Sequence, residues 1–176
     1  MNKKKLALII IASIGVGLLI AILATDKIVE TGHAEFCGSC HEMQGMVKAF
    51  DDDVHGGNNK IGFVAECTDC HLPHNSTMGF LIAKGFAGAK DGWSNATKDM
   101  SKFDWTENRK HRTKFVYDSG CLKCHVKLKE KTSANPKALL AHKSYFNQST
   151  KLNCVSCHQH VGHKNLLLHI SSEEKK

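Results

Sequence analysis

Aromatic residues are scarce in this sequence, at 7% of 176 residues, and the apolar residues are unevenly spread. One uninterrupted run, residues 6–24, holds a large share of them. The remaining residues, about 150, form one module that is too thinly apolar to bury enough surface with side chains alone. An ordinary side-chain core is therefore excluded, and disulfides, metal ions or a bulky cofactor must hold the body together.

Two other patterns are missing. No segment alternates apolar and polar residues as a half-buried strand does, and no basic run is interleaved with aromatic residues as in a nucleic-acid-binding surface. The formal net charge of +7 includes the lysines at positions 3–5, so we expect no nucleic-acid partner. The residue pattern predicts short helices over residues 41–52, 78–93 and 137–146. The expected fold class is mainly α with extensive loops.

The apolar run has the length of a membrane span. Its 19 uncharged positions extend over about 28 Å as a helix, close to the thickness of a bilayer's hydrocarbon core. A cleaved signal peptide is the alternative, but a cut after Ala24 would place bulky Ile22 where a small residue is required. We therefore predict that residues 1–25 form a cytoplasmic lysine-rich start and an uncleaved transmembrane anchor, followed by an exported body over residues 26–170 and a charged tail over 171–176.

All eight cysteines fall into four copies of one motif, Cys-X-X-Cys-His, and none is left over. Two thiols at this spacing bond the two vinyl groups of one haem, and the histidine that follows binds the iron. Disulfides, zinc or a redox dithiol could use such cysteines, but none of them accounts for four trailing histidines. The motifs therefore predict a multihaem cytochrome c domain organised around four covalent c-type haems, held by Cys37 and Cys40, Cys67 and Cys70, Cys121 and Cys124, and Cys154 and Cys157.

Four haem irons have eight axial positions, and the motif histidines can fill at most four. We predict His71, His125 and His158 as proximal ligands and His55, His142 and His163 as distal ligands. His55 and His142 each lie 12 residues before a motif, and His163 follows the fourth motif after a short loop. Five further histidines lie outside the motifs. His74 and His160 are expected to be unligated or to serve a neighbouring haem. His33, His111 and His169 are expected to be unligated.

The first motif continues as Cys40-His41-Glu42-Met43. Two residues so close in sequence cannot bind opposite faces of one iron, because the chain between them cannot pass around a porphyrin. Either His41 or Met43 is therefore the proximal ligand of the first haem, or Met43 only packs against the ring.

The anchor, the four motifs, the Cys-His-X-Met sequence, Cys-His-Leu-Pro at 70–73 and Lys-Asp-Gly-Trp at 90–93 occur together. This combination resembles the NapC/NirT family of membrane-anchored tetrahaem cytochromes, and within it the small subunits of cytochrome c nitrite reductase. The resemblance implies that Met43 is the proximal ligand of the first haem and that the other face adjoins a menaquinol site with Lys84 and Asp91. It also implies an inner-membrane protein with a periplasmic haem domain and a periplasmic multihaem partner, the nitrite-reducing subunit, which can supply the distal ligand of the second haem.

Lys84 and Asp91 lie seven positions apart, two turns along one predicted helix. A carboxylate near the haem can accept the proton that quinol releases, and a lysine can orient the quinol oxygen. Solvated side chains on an amphipathic helix are the alternative. The other functions considered are an electron hub for several reductases, a terminal reductase that binds a small anion, and a plain electron carrier.

Haem content gives the first test. The mass of the intact protein should exceed that of the 19.4 kDa chain by about four haem increments, because each motif forms two thioether bonds. Intact-mass spectrometry measures this directly, and a bare chain mass would contradict covalent attachment.

Overall fold

The computed structural model describes residues 2–173. It is 69% helical and has no strand among those residues, which confirms the predicted fold class. Short 3₁₀ turns over His41–Met43, Val54–Gly56, Met100–Lys102 and Arg112–Lys114 lie between the helices. The α-helices are α1 Lys3–Glu30, α2 Ala34–Cys37, α3 Gln44–Asp51, α4 Cys67–His71, α5 Thr77–Thr97, α6 Trp105–Lys110, α7 Asp118–Cys124, α8 Leu128–Ser133, α9 Pro136–Phe146, α10 Cys154–Cys157 and α11 Leu166–Glu173.

Helix α1 contains the apolar run and continues past it to Glu30, beyond the predicted end of the anchor at residue 25. The Asn2 side chain caps its first turn by accepting a hydrogen bond from the Lys4 backbone N–H at 3.1 Å. None of its residues is buried against the rest of the chain. By length and composition it can cross a membrane.

The three predicted helices are present, with shifted ends. The segment predicted over residues 41–52 starts as a 3₁₀ turn and becomes α3. The segment over 78–93 is α5, which begins after the N-cap residue Ser76 and extends to Thr97. The segment over 137–146 is α9, which has Asn135 as its N-cap and Pro136 in the first turn, where a missing N–H costs nothing.

Seven short helices lie where loops were expected: α2, α4, α6, α7, α8, α10 and α11. Helix α11 packs against α3 and brings the end of the body back to the first motif. Each of these two helices carries a deeply buried apolar residue, Ala49 of α3 at 0% and Leu166 of α11 at 4% exposure. The predicted tail over 171–176 overlaps the end of α11, and its residues 174–176 lie outside the described residues.

The second and third motifs meet directly, because α4 packs against α7. The Tyr117 backbone N–H donates to the Cys70 carbonyl oxygen at 3.0 Å. Lys123 forms an ion pair with Asp69 at 2.7 Å. Gly120 lies so close to the Asp69 carbonyl that a Cβ atom at this position would overlap it. The contact between the two motifs therefore requires glycine at position 120.

Replacing that glycine tests the contact. Gly120→Ala should lower the free energy of unfolding of the holoprotein by about 1–3 kcal/mol, because the methyl group forces α4 and α7 apart. Gly88→Ala in α5 is the matched control, since nothing lies within 4 Å of its Cβ position. Its stability should stay equal or rise by about 0.5–1 kcal/mol. Equal denaturation midpoints for the two variants would contradict a tight α4–α7 contact.

Candidate functional site

The four motifs follow one another in space in their sequence order. The side chains of Cys37 and Cys67 are in contact, which joins the first motif to the second. The α4–α7 contact joins the second motif to the third. The third and fourth motifs meet through Asp118, whose side chain accepts a hydrogen bond from the Cys154 backbone N–H at 2.9 Å. The motifs therefore form a continuous row.

Three pairs of histidine rings face each other across these motifs. The ring centroids are 6.1 Å apart for His71 and His163, 6.3 Å for His125 and His55, and 6.1 Å for His158 and His142. Two metal–nitrogen bonds of about 2.0 Å, plus about 1.1 Å from each ring nitrogen to its centroid, give a separation of about 6.2 Å. Each pair therefore fits one iron between two imidazoles.

The Nδ1 atoms of four of these rings have hydrogen-bond acceptors. His71 Nδ1 lies 3.0 Å from the Phe115 carbonyl oxygen, and His163 Nδ1 lies 3.2 Å from that of Met46. His142 Nδ1 lies 2.8 Å from the Ala138 carbonyl oxygen. His55 Nδ1 lies 2.8 Å from a carboxylate oxygen of Asp53. Carbonyl and carboxylate oxygens only accept, so each Nδ1 carries the proton and each Nε2 keeps its lone pair for a metal.

Burial also keeps two of these histidines neutral. It lowers the pKa of His71, and it lowers the pKa of His163 to about 4. A neutral imidazole is the form that binds iron. Both members of this pair are therefore in the state that metal binding requires.

A cavity of about 490 Å³ lies beside His125. Its wall includes the apolar and aromatic side chains of Leu122, Leu128, Tyr145 and Phe146. It also includes Lys129 and Lys151, whose positive charges would attract a haem propionate. This lining fits a flat apolar macrocycle with charged substituents.

The five remaining histidines outside the motifs either contact other protein atoms or lie at the end of a helix. His33 lies 2.9 Å from Glu66, and His74 lies 3.1 Å from the Thr68 carbonyl oxygen. The other three are His160 beside Arg109, His169 beside Asp52, and His111 at the end of α6. The structure thus places these five residues apart from the facing ring pairs.

The first motif has a different environment. His41 is exposed and Met43 is half-buried on the same 3₁₀ turn. In the part of the chain that the structure describes, no imidazole pair of the kind above includes His41. The charges of Lys84 and Asp91 instead act on Cys37, which places this lysine and this carboxylate near the first motif.

Lys84 is unusual because its Nζ atom is buried and has no hydrogen-bond partner among the described residues. Burial lowers the pKa of this ammonium group. Asp91, on the same helix, is exposed to solvent. The two side chains thus offer a dehydrated donor and a solvated carboxylate beside the first motif.

The model of the NapC/NirT cytochrome c family, N-terminal region, matches residues 1–167. The chain belongs to the NapC/NirT cytochrome c family. It is accordingly a membrane-anchored, haem-binding cytochrome c of electron transport. The resemblance inferred from the motifs is confirmed.

Family relatives cover most of the chain. The tetraheme c-type cytochrome CymA of Shewanella oneidensis is 32% identical over 88% of this chain and 90% of its own length. The cytochrome c-type protein NapC of Paracoccus pantotrophus is 30% identical over 76% of this chain, which spans 59% of that relative. A chain of the cytochrome c nitrite reductase NrfHA complex bound to the HQNO inhibitor shares the fold, with a TM-score of 0.52 and 23% identity over 87% of this chain and 90% of that one.

The residues that orient the histidines were not predicted. Asp53 precedes His55 by two positions. This carboxylate-X-histidine spacing is the sequence pattern from which their contact could have been predicted. Arg112 was also missed, although its Nε atom donates to the Val155 carbonyl oxygen at 2.6 Å and holds the fourth motif. No local pattern indicates that second contact, because its partners lie in distant segments.

Proposed function

We propose that the protein oxidises menaquinol at the first motif and passes the electrons along the row of motifs to a periplasmic multihaem reductase. The observation that carries this proposal is the Lys84 ammonium group, which is buried without a partner beside Cys37. A buried donor without an acceptor costs free energy. A quinol oxygen would supply the missing acceptor and would be oriented by the lysine.

Asp91 complements this donor. Its carboxylate is exposed, so it can accept a proton from the bound quinol and release it to water. Lys84 and Asp91 lie along one helix, α5, which fixes their separation. In this scheme Lys84 positions the substrate and Asp91 removes its proton.

The chain's own residues would hold four covalent haems. Met43 would bind the first iron, and three ring pairs would bind the others: His71–His163, His125–His55 and His158–His142. The ring separations and the Nδ1 hydrogen bonds described above support these pairs. Covalent haem supplies a one-electron carrier at each motif. The three lysines at the start of α1, which precede its apolar run, favour a cytoplasmic N-terminus and a periplasmic haem domain.

The catalytic subunit of cytochrome c nitrite reductase is the first candidate partner, supported by the resemblance and by the fold shared with a chain of the NrfHA complex. An electron hub that serves several reductases is the second candidate. His163 favours the hub, because it faces His71 and completes the second pair within this chain. A partner that supplies this ligand is then unnecessary.

Substitution of Asp91 tests the quinol step. Asp91→Asn keeps the size of the side chain but removes the base, so reduction by a menaquinol analogue should slow at least about tenfold. Reduction by dithionite should be unchanged, because it does not require the quinol site. A parental rate with quinol would refute the proton-acceptor role.

Lys84→Met should mainly raise the apparent KM for quinol, because it removes a binding contact. Lys90→Met is the matched control: this lysine is on the same helix but exposed. Equal KM values for these two variants would remove the quinol-orienting role from Lys84.

Spectroscopy of the isolated protein tests the second ligand pair. The protein without any partner should show three low-spin bis-histidine haems, and His163→Leu should convert one of them to the high-spin form. Electron paramagnetic resonance of the oxidised protein measures both states. If the parent showed only two such haems and gained a third on addition of the nitrite-reducing subunit, the partner would be the source of the ligand.

A further inference from the structure

Asp53 is a buried carboxylate at 8% exposure. One of its oxygens, Oδ1, accepts two hydrogen bonds from His55, from the backbone N–H at 2.9 Å and from the ring Nδ1–H at 2.8 Å. The side chain thus fixes both the backbone and the ring of this histidine. The His55 ring faces His125 of the third motif.

We propose that Asp53 is a positioning residue that gives the third haem a lower reduction potential than the second and fourth haems. This inference rests on the assignment of His55 as a ligand under the proposed function. The chain's contribution is an anionic acceptor behind one axial imidazole.

Three other imidazoles of the ring pairs have neutral acceptors. His71, His163 and His142 donate from Nδ1 to backbone carbonyl oxygens. A carboxylate accepts a stronger hydrogen bond and makes the imidazole a better electron donor. A stronger donor and a nearby negative charge both stabilise the ferric iron over the ferrous iron, so the potential falls.

The position of Asp53 strengthens this effect. The carboxylate is buried, and the Asp53 backbone N–H donates to the carbonyl oxygen of the buried residue Phe50 at 2.8 Å, so water screens the charge little. It is also close enough to act electrostatically on His163 and on Cys70 of the second motif. The second haem should therefore respond in the same direction but less, because Asp53 makes no hydrogen bond to its ligands in the described structure.

A capping role is the alternative explanation, because Asp53 is the N-cap of the Val54–Gly56 turn. Asn is an equally good N-cap, and its side-chain oxygen can accept the same two hydrogen bonds. Asp53→Asn therefore preserves the capping role and removes only the charge. A purely structural role predicts no change in potential for this variant.

The experiment is a redox titration of the holoprotein followed by electron paramagnetic resonance. In Asp53→Asn the third haem should become about tenfold easier to reduce, which equals 59 mV for one electron. Asp52→Asn is the matched control: this neighbouring carboxylate is 45% exposed and lies 2.8 Å from His169, outside the ring pairs. It should leave the potential unchanged. An unchanged potential in Asp53→Asn, or an equal rise in both variants, would overturn the proposal.

A second variant separates this inference from the ligand assignment. His55→Leu should abolish the low-spin signal of one haem, and that signal should be the one whose potential rises in Asp53→Asn. If His55→Leu leaves every low-spin signal intact, the ligand assignment fails, and the proposal for Asp53 fails with it. If the signal is lost but Asp53→Asn shifts no potential, only the proposal for Asp53 fails. Should Asp53→Asn not accumulate with haem, Asp53→Ser also caps the turn without a charge and should raise the potential of the third haem as well; an unchanged potential would overturn the proposal.

Discussion

The distance between facing imidazole rings is the constraint on which the rest of the fold depends. Three ring pairs are held 6.1–6.3 Å apart, and in each pair only one ring belongs to a Cys-X-X-Cys-His motif. The opposite ring must be carried there by another segment. The segment before the second motif carries His55 to the third motif, and the segment after the fourth carries His163 to the second. These crossings explain why the chain folds back on itself and why α11 packs on α3.

The side-chain core can be small under this constraint. Few apolar residues are buried, and the most completely buried of them is an alanine. Backbone and side-chain hydrogen bonds between motifs, such as Asp118 to Cys154, supply much of the contact between elements. Such bonds are directional, so they fix the relative orientation of the motif helices more narrowly than a similar area of apolar contact would.

The sequence predicted those features that depend on local spacing. Motifs, anchor and the longer helices follow from residue patterns, and the spacing of His55, His142 and His163 singled out the histidines that the structure places opposite motif histidines. Spacing could not indicate which motif each one faces, because that depends on how α4 and α7 pack. Helix α11 was missed because it is short and its apolar side is explained only by its contact with α3. The role of Asp53 could not be predicted either, because it depends on where the His55 ring lies in the fold.

The ion pair between Asp69 and Lys123 restricts which residues can occupy two motif positions that the Cys-X-X-Cys-His pattern leaves unspecified. Both residues occupy X positions inside their motifs, and the overlap of a Cβ atom at residue 120 with the Asp69 carbonyl keeps the two motifs in close contact. The motifs are therefore not interchangeable modules. A copy of the third motif placed at the second would set lysine against lysine across the same contact, and a copy of the second placed at the third would set two carboxylates together. Substitutions at these two positions are therefore coupled, because a change of charge on one side of the contact is compensated by the opposite change on the other.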